Sequence, residues 1–185
     1  MEPPCSEFIL RALLEGWFLH FLLSIFHQGV TFIPMTDPFN LERFIAAQQN
    51  VYEQALREIQ QGQKQSHWMW FVFPQYDGLG QSAMAKRYAI RSLDEAKAYL
   101  EHPVLGKRLI EITKAVLQHK SKTANQIFGY PDDLKLKSSM TLFHRVTGLV
   151  EAGNKHDSIF KQVLVAFFNG EEDAATLRLL SSEKS

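Results

Sequence analysis

Residues 37–62 read DPFNLERFIAAQQNVYEQALREIQQG, and the placing of their apolar side chains decides the fold class. Leu41, Phe44, Ile45, Val51, Leu56 and Ile59 recur at three- and four-residue steps or their sums, the spacing that lines one face of a helix. Asp37 is a good N-cap, Pro38 suits the first helical position, and Gly62 is a stop signal. The spacing therefore predicts one helix across this stretch.

The same pattern continues outward. Ser66 is placed to cap a short helix over His67–Phe71 that ends before Pro74, with a buried strand over Trp68–Phe73 as the competing reading. Tyr76–Gln81, with Asp77-Gly78 and Gly80, reads as a loop, and Ser82–Ala89 as a short helix. Ser92 and Glu95 form a capping-box signature for a helix reaching Glu101. Pro103 opens a longer helix through Leu105, Leu109, Ile112, Val116 and Leu117, and Thr123 with Gln126 caps a short one stopped by Gly129. Pro131–Val146 is helical in pattern, followed by a loop over Gly148–Lys155. Asp157 starts a helix over Ile159–Phe168 that Gly170 ends, and Asp173 caps a last helix to Leu180. With no alternating strands, internal repeat or low-complexity segment, the expectation is all-α, a single compact multihelical domain of about seven helices.

Composition narrows the function classes. Twenty basic and twenty acidic residues cancel, so global charge predicts no nucleic-acid partner. Residues 64–145 carry thirteen Lys and Arg against seven Asp and Glu, an excess of six that suits either a solvated face or an anionic small ligand. Cys5 is the sole cysteine, which rules out an intramolecular disulfide and a cysteine-based zinc site and fits a cytoplasmic protein. Residues 1–34 differ from the rest: Phe8–Ile33 is strongly apolar, yet Arg11, Glu15, His20 and His27 interrupt it, so no membrane span is predicted. Glu2 and Glu7 stand where a secretory signal needs basic residues. This segment is read as an extension, with translation expected to start at Met35 and the domain to occupy residues 35–185.

Chemistry concentrates in Ser66–Gln75, where His67, Trp68, Trp70, Phe71 and Phe73 crowd ten positions. Aromatic walls with a few polar groups are the make-up of a ligand pocket, although core packing is the default for each tryptophan. His67 could act as a base or donor near neutrality, or pack against a backbone carbonyl. On a helix Trp68 and Trp70 diverge by about 200°, so at most one lines a pocket. Two glycines at 78 and 80 precede a short helix in which Lys86 and Arg87 would complement a phosphate. Lys135, Ser138 and Ser139 share a helix face and could donate hydrogen bonds to a ligand; a Ser–Lys nucleophile is the less favoured reading. Asp132 and Asp133 are explained by the helix dipole, and His144 by a rim position. Histidine spacing supports no metal site, and no cofactor signature is present.

Met35-Thr-Asp-Pro-Phe-Asn-Leu-Glu-Arg-Phe, Ser66-His-Trp-Met-Trp-Phe-Val-Phe-Pro-Gln, Leu79-Gly, Ser92-Leu-Asp-Glu-Ala, His102-Pro-Val-Leu-Gly and Asp133-Leu-Lys-Leu-Lys-Ser-Ser-Met-Thr-Leu-Phe resemble the domain-of-unknown-function family numbered 1810, small bacterial proteins. The resemblance runs from about Asp37 to Leu180 and omits residues 1–34. It implies an all-α fold and no established activity. Some relatives carry the label calpastatin, but this chain has neither that inhibitor's repeats nor its composition. A looser likeness, in helical architecture and closing helix only, is to N-glycosidases acting on ADP-ribose derivatives.

Two readings follow. In one, the domain binds or processes a small anionic or nucleotide-like ligand in a pocket of His67, Trp68, Gln75, Lys135 and Ser138, with Lys86 and Ser139 as further candidates. In the other, it is a non-enzymatic interaction module whose aromatic segment is core plus a partner-facing patch.

Overall fold

Asp37 does act as a cap, but for a turn before the helix: its carboxylate oxygens accept the backbone N–H groups of Leu41 (2.7 Å) and Glu42 (2.9 Å). The structure, a computed structural model, describes residues 37–150 and 158–182. The expectations for residues 1–34, Met35, Asp157 and most of the 148–155 loop lie outside these residues. Within them the chain forms ten helices and no strand beyond an isolated bridge between Tyr76 and Ile90. They are α1 (Glu42–Gln48), α2 (Tyr52–Gln60), α3 (Met69–Val72), α4 (Ala83–Arg87), α5 (Leu93–Glu101), α6 (Leu105–Leu117), α7 (Ala124–Phe128), α8 (Asp132–Val150), α9 (Ile159–Phe168) and α10 (Ala174–Ser182).

The all-α expectation holds, with more and shorter pieces than about seven helices. The expected single helix over 37–62 divides at Gln49–Val51. Gln48, fully buried at the end of α1, sends its side-chain amide to the Phe71 carbonyl (2.7 Å) and to the Tyr99 hydroxyl (3.1 Å). Those bonds tie α1 to α3 and α5. The segment 68–73 is helical rather than extended, although α3 starts two residues later than expected and without a Ser66 cap.

Several local signals act as written. Thr123 and Gln126 complete a reciprocal capping box, and Gly129 follows at φ +71°. Asp173 accepts the Thr176 N–H at 2.8 Å. Ser92 caps α5, but its partner Glu95 turns instead to the Arg91 N–H and to the Arg43 guanidinium, a buried ion pair. Pro131–Val146 extends to Val150, and Ser158 caps α9. Gly106 is a steric requirement: a Cβ there would stand 1.8 Å from the Leu100 carbonyl oxygen, so only glycine lets α6 turn back against the end of α5.

Helix α8 is the axis of the fold, packing against α9, α5, α7 and α10. Leu136, Met140, Leu142, Phe143 and Val146 are all fully buried on it. Helix α6 packs against α9, α2 and α5 on the other side. Edge-on and tilted ring contacts join Phe44, Tyr99, Phe143 and Phe160 through the centre.

Candidate functional site

The polar chemistry of the aromatic segment converges on Glu58, a buried carboxylate on α2. Its two oxygens accept the N–H groups of Gln65 (2.8 Å) and Ser66 (3.0 Å), the Ser66 hydroxyl (2.5 Å), the Trp68 indole N–H (2.7 Å) and the Gln54 amide (3.1 Å). Burial pushes the Glu58 pKa up, but the hydrogen bonds from Ser66, Gln65 and Trp68 outweigh it and bring it down to about 2. A charged carboxylate so fully satisfied is a fastening for the 61–68 loop. It also answers the question that Trp68 raises: the indole has its partner and the ring is entirely buried, packed against Phe73 and Phe128.

Next to this hub, Lys64 and Lys135 share Asp132. Lys64 Nζ lies 2.7 Å from one Asp132 oxygen and Lys135 Nζ 2.6 Å from the other. Each ammonium also stands over a tryptophan face, Lys64 at 5.2 Å from the Trp68 ring and Lys135 at 4.7 Å from Trp70. Burial raises the Asp132 pKa, and the hydrogen bonds and charges of Lys135 and Lys64 more than reverse this, so it is held below the usual carboxylate range. The trio carries one net positive charge. Lys64 is nearly enclosed, with 7% of its side chain exposed, and also donates to the Ser66 carbonyl; Lys135, at 20%, is the outer cation.

This geometry divides the seven candidate residues. Trp68, Ser138 and Ser139 are buried, His67 and Lys86 are exposed, and Gln75 and Lys135 are half-buried. The pocket as drawn from the sequence is therefore not assembled. His67 points to solvent because the two residues after it, Trp68 and Met69, carry the chain into the core. Ser138 donates to the Leu134 carbonyl (3.1 Å), and the Ser139 hydroxyl is buried without a hydrogen-bond partner, so neither presents itself to a ligand. Their shared face is real, but on α8 that face turns inward.

What remains is Trp70, half-buried, with Lys135 over its ring. Its edge meets Gln75, Gly78 and Gly80 in a recess of about 10 Å³, room for one water molecule rather than a nucleotide. Lys135 lies in the first turn of α8, next to Leu134 and five residues after Tyr130. Tyr130 is 79% exposed and Leu134 is 51% exposed, two of the most open large apolar side chains among the described residues.

A second polar cluster links α8, α9 and the approach to α10. His144 Nδ1 lies 2.9 Å from the Ser158 hydroxyl and Nε2 3.6 Å from Glu172, which Arg145 also grips. The residue types are those of a hydrolytic triad, but the roles are occupied. Ser158 Oγ accepts the Lys161 N–H as the cap of α9, and the Glu172 carboxylate serves Arg145 first. Sequence reading left His144 on the rim; it is a strut. Glu58, Lys64 and Asp132 were also missed as a group, because Asp132 is far along the chain from the other two and no spacing signal marks Glu58 as the partner of Ser66 and Trp68. No group of three or more His, Cys, Asp or Glu side chains among the described residues could hold a metal ion. No helix there is long and apolar enough to cross a membrane.

Comparison with known proteins agrees with this architecture. The conserved hypothetical protein Rv1873 from Mycobacterium tuberculosis, a crystal structure, is similar at 49% identity and a TM-score of 0.72, over 78% of this chain and 99% of that one. No curated protein matches. The profile described as "Protein of unknown function (DUF1810)" matches residues 38–180, most of the chain, and the protein belongs to that family.

Proposed function

We propose that the domain is a binding module that recognises an acidic, apolar-flanked protein segment on the surface formed by Trp70, Tyr130, Leu134 and Lys135, with Gln75 at its edge. The observation that carries this reading is the exposure of Tyr130, just before α8, and of Leu134, beside Lys135 in its first turn, where Lys135 is the outer ammonium of a trio with net positive charge. An exposed Tyr and a half-buried Trp beside a cation are side-chain types enriched at protein interfaces. A nucleotide-like ligand enclosed by the aromatic segment has less support, since a small-molecule site needs several hundred Å³ and the recess beside Trp70 offers about 10 Å³. A cytoplasmic setting belongs to the same proposal.

The test is selection of peptides from a random library on the immobilised full chain, followed by fluorescence anisotropy with the winners. Selected peptides should be enriched in Asp or Glu next to apolar residues and lose about tenfold or more in affinity for Lys135→Glu and for Tyr130→Ala. Peptides without that enrichment, or binding both variants as tightly as the parent, would overturn the reading.

A further inference from the structure

A broad concavity among the described residues lies away from the tryptophans, where the C-terminal turn of α6 meets the first turn of α9. It holds about 680 Å³, within the range of small-molecule sites. Leu117 and Ile159 supply its apolar lining, both half-buried and packed against the core. Lys114 and Lys120 line it with Gln118, Ser121 and Gln162, and no Asp or Glu among the described residues does. Neither lysine is in an ion pair among the described residues, whereas Lys64, Lys97, Lys135 and Lys137 are.

Lys114 has a local reason to be there, since a cation in the last turn of a helix complements its dipole. Lys120 lies past the end of α6, and the dipole does not explain why it lines the same groove as the two half-buried apolar side chains. An apolar lining beside lysines that no described carboxylate neutralises suits a small anion with an apolar body. We infer that the groove between α6 and α9 is a binding site for a small anion with an apolar body, an aryl or acyl carboxylate, sulfonate or phosphate. The anionic group is held between Lys114 and Lys120 while the body covers Leu117 and Ile159. Gln118 and Gln162 add polar atoms at the edge. This site stands independently of the Trp70 surface and shares no residue with it.

Naphthalene-1-sulfonate is a suitable probe, titrated into the 15N-labelled full chain and followed by amide chemical shifts. The expected result is saturable shifts confined to the amides of residues 114–121 and 159–162. In Lys114→Gln/Lys120→Gln the dissociation constant should rise by about fivefold or more, because two charge contacts are lost. Both lysines are exposed, so the double variant should keep the fold, and its unperturbed spectrum elsewhere checks this. Absence of shifts up to millimolar probe, shifts elsewhere, or equal affinity in the double variant would each overturn the proposal. So would an acidic peptide that moves these amides when the sulfonate does not, which would make the groove a protein interface.

Discussion

The 58–73 segment and the first turn of α8 are built from the same materials, aromatic rings, lysine and carboxylate, and end in opposite states. Around Glu58 every polar group is used: five donors meet one carboxylate, and Trp68 is sealed behind them. At the start of α8, Lys135 has Asp132 as its one hydrogen-bond partner among the described residues, and Leu134 and the preceding Tyr130 are exposed. The pair teaches that an aromatic-rich stretch reports a function only where its polar groups are left unsatisfied. The most improbable ten residues of the chain are chiefly core and its fastening, and the proposed recognition surface takes only Trp70 and Gln75 from them.

The sharpest break of this comparison is between the two tryptophans. Trp68→Ala should cost roughly 3–5 kcal/mol in urea unfolding, through the cavity it leaves and the orphaned Glu58 bond. Trp70→Ala, half-exposed and roofed by one lysine, should cost about 1 kcal/mol. Equal, small effects would place both rings on the surface and move the whole segment into the recognition patch.

Glu58→Gln comes next, at about 2–3 kcal/mol, because the amide turns N–H donors toward donors. The pH profile gives an independent reading. The folded-state pKa, about 2, lies below the ordinary 4.5, so the carboxylate's contribution is complete above pH 4.5 and is lost as pH falls toward 2. The stability gap between parent and variant should therefore narrow through that window. A gap independent of pH would mean that the bonds are made equally well by an uncharged group.

How much of this was legible follows from the range of each interaction. Asp37, Ser92, Thr123 and Asp173 satisfy N–H groups within five residues, and each was readable as a cap. Burial of one tryptophan and not the other followed from helical divergence alone. The break after Gln48 was not readable, since its cause sits on Phe71 and Tyr99, residues 23 and 51 positions away. Nor was the inward turn of Ser138 and Ser139: spacing says which side chains share a face, and only the packing of four other helices around α8 says where that face looks. His67 was misread for a related reason, that apolar neighbours in sequence are no guarantee of apolar neighbours in space.

On the open side of the comparison, Tyr130→Ala and Leu134→Ala should each shift stability by less than about 0.5 kcal/mol, the usual range for exposed positions. They should nonetheless remove most of the peptide affinity. Losses of stability as large as that of Glu58→Gln would show that these side chains are structural and that the patch is covered in the folded chain.

The smallest effect is expected from removing residues 1–34. The domain carries its own beginning: both oxygens of Asp37 take up the N–H groups of Leu41 and Glu42, and Pro38 has no N–H to satisfy. Burial raises the Asp37 pKa, and the bonds from the Glu42, Leu41 and Phe39 amides with the charge of Arg43 together more than reverse this, so the capping charge persists at neutral pH. A chain starting at Met35 should therefore unfold cooperatively, within about 0.5 kcal/mol of the full chain, by circular dichroism in urea. If cooperativity is lost instead, residues 1–34 contribute to the stability of the domain.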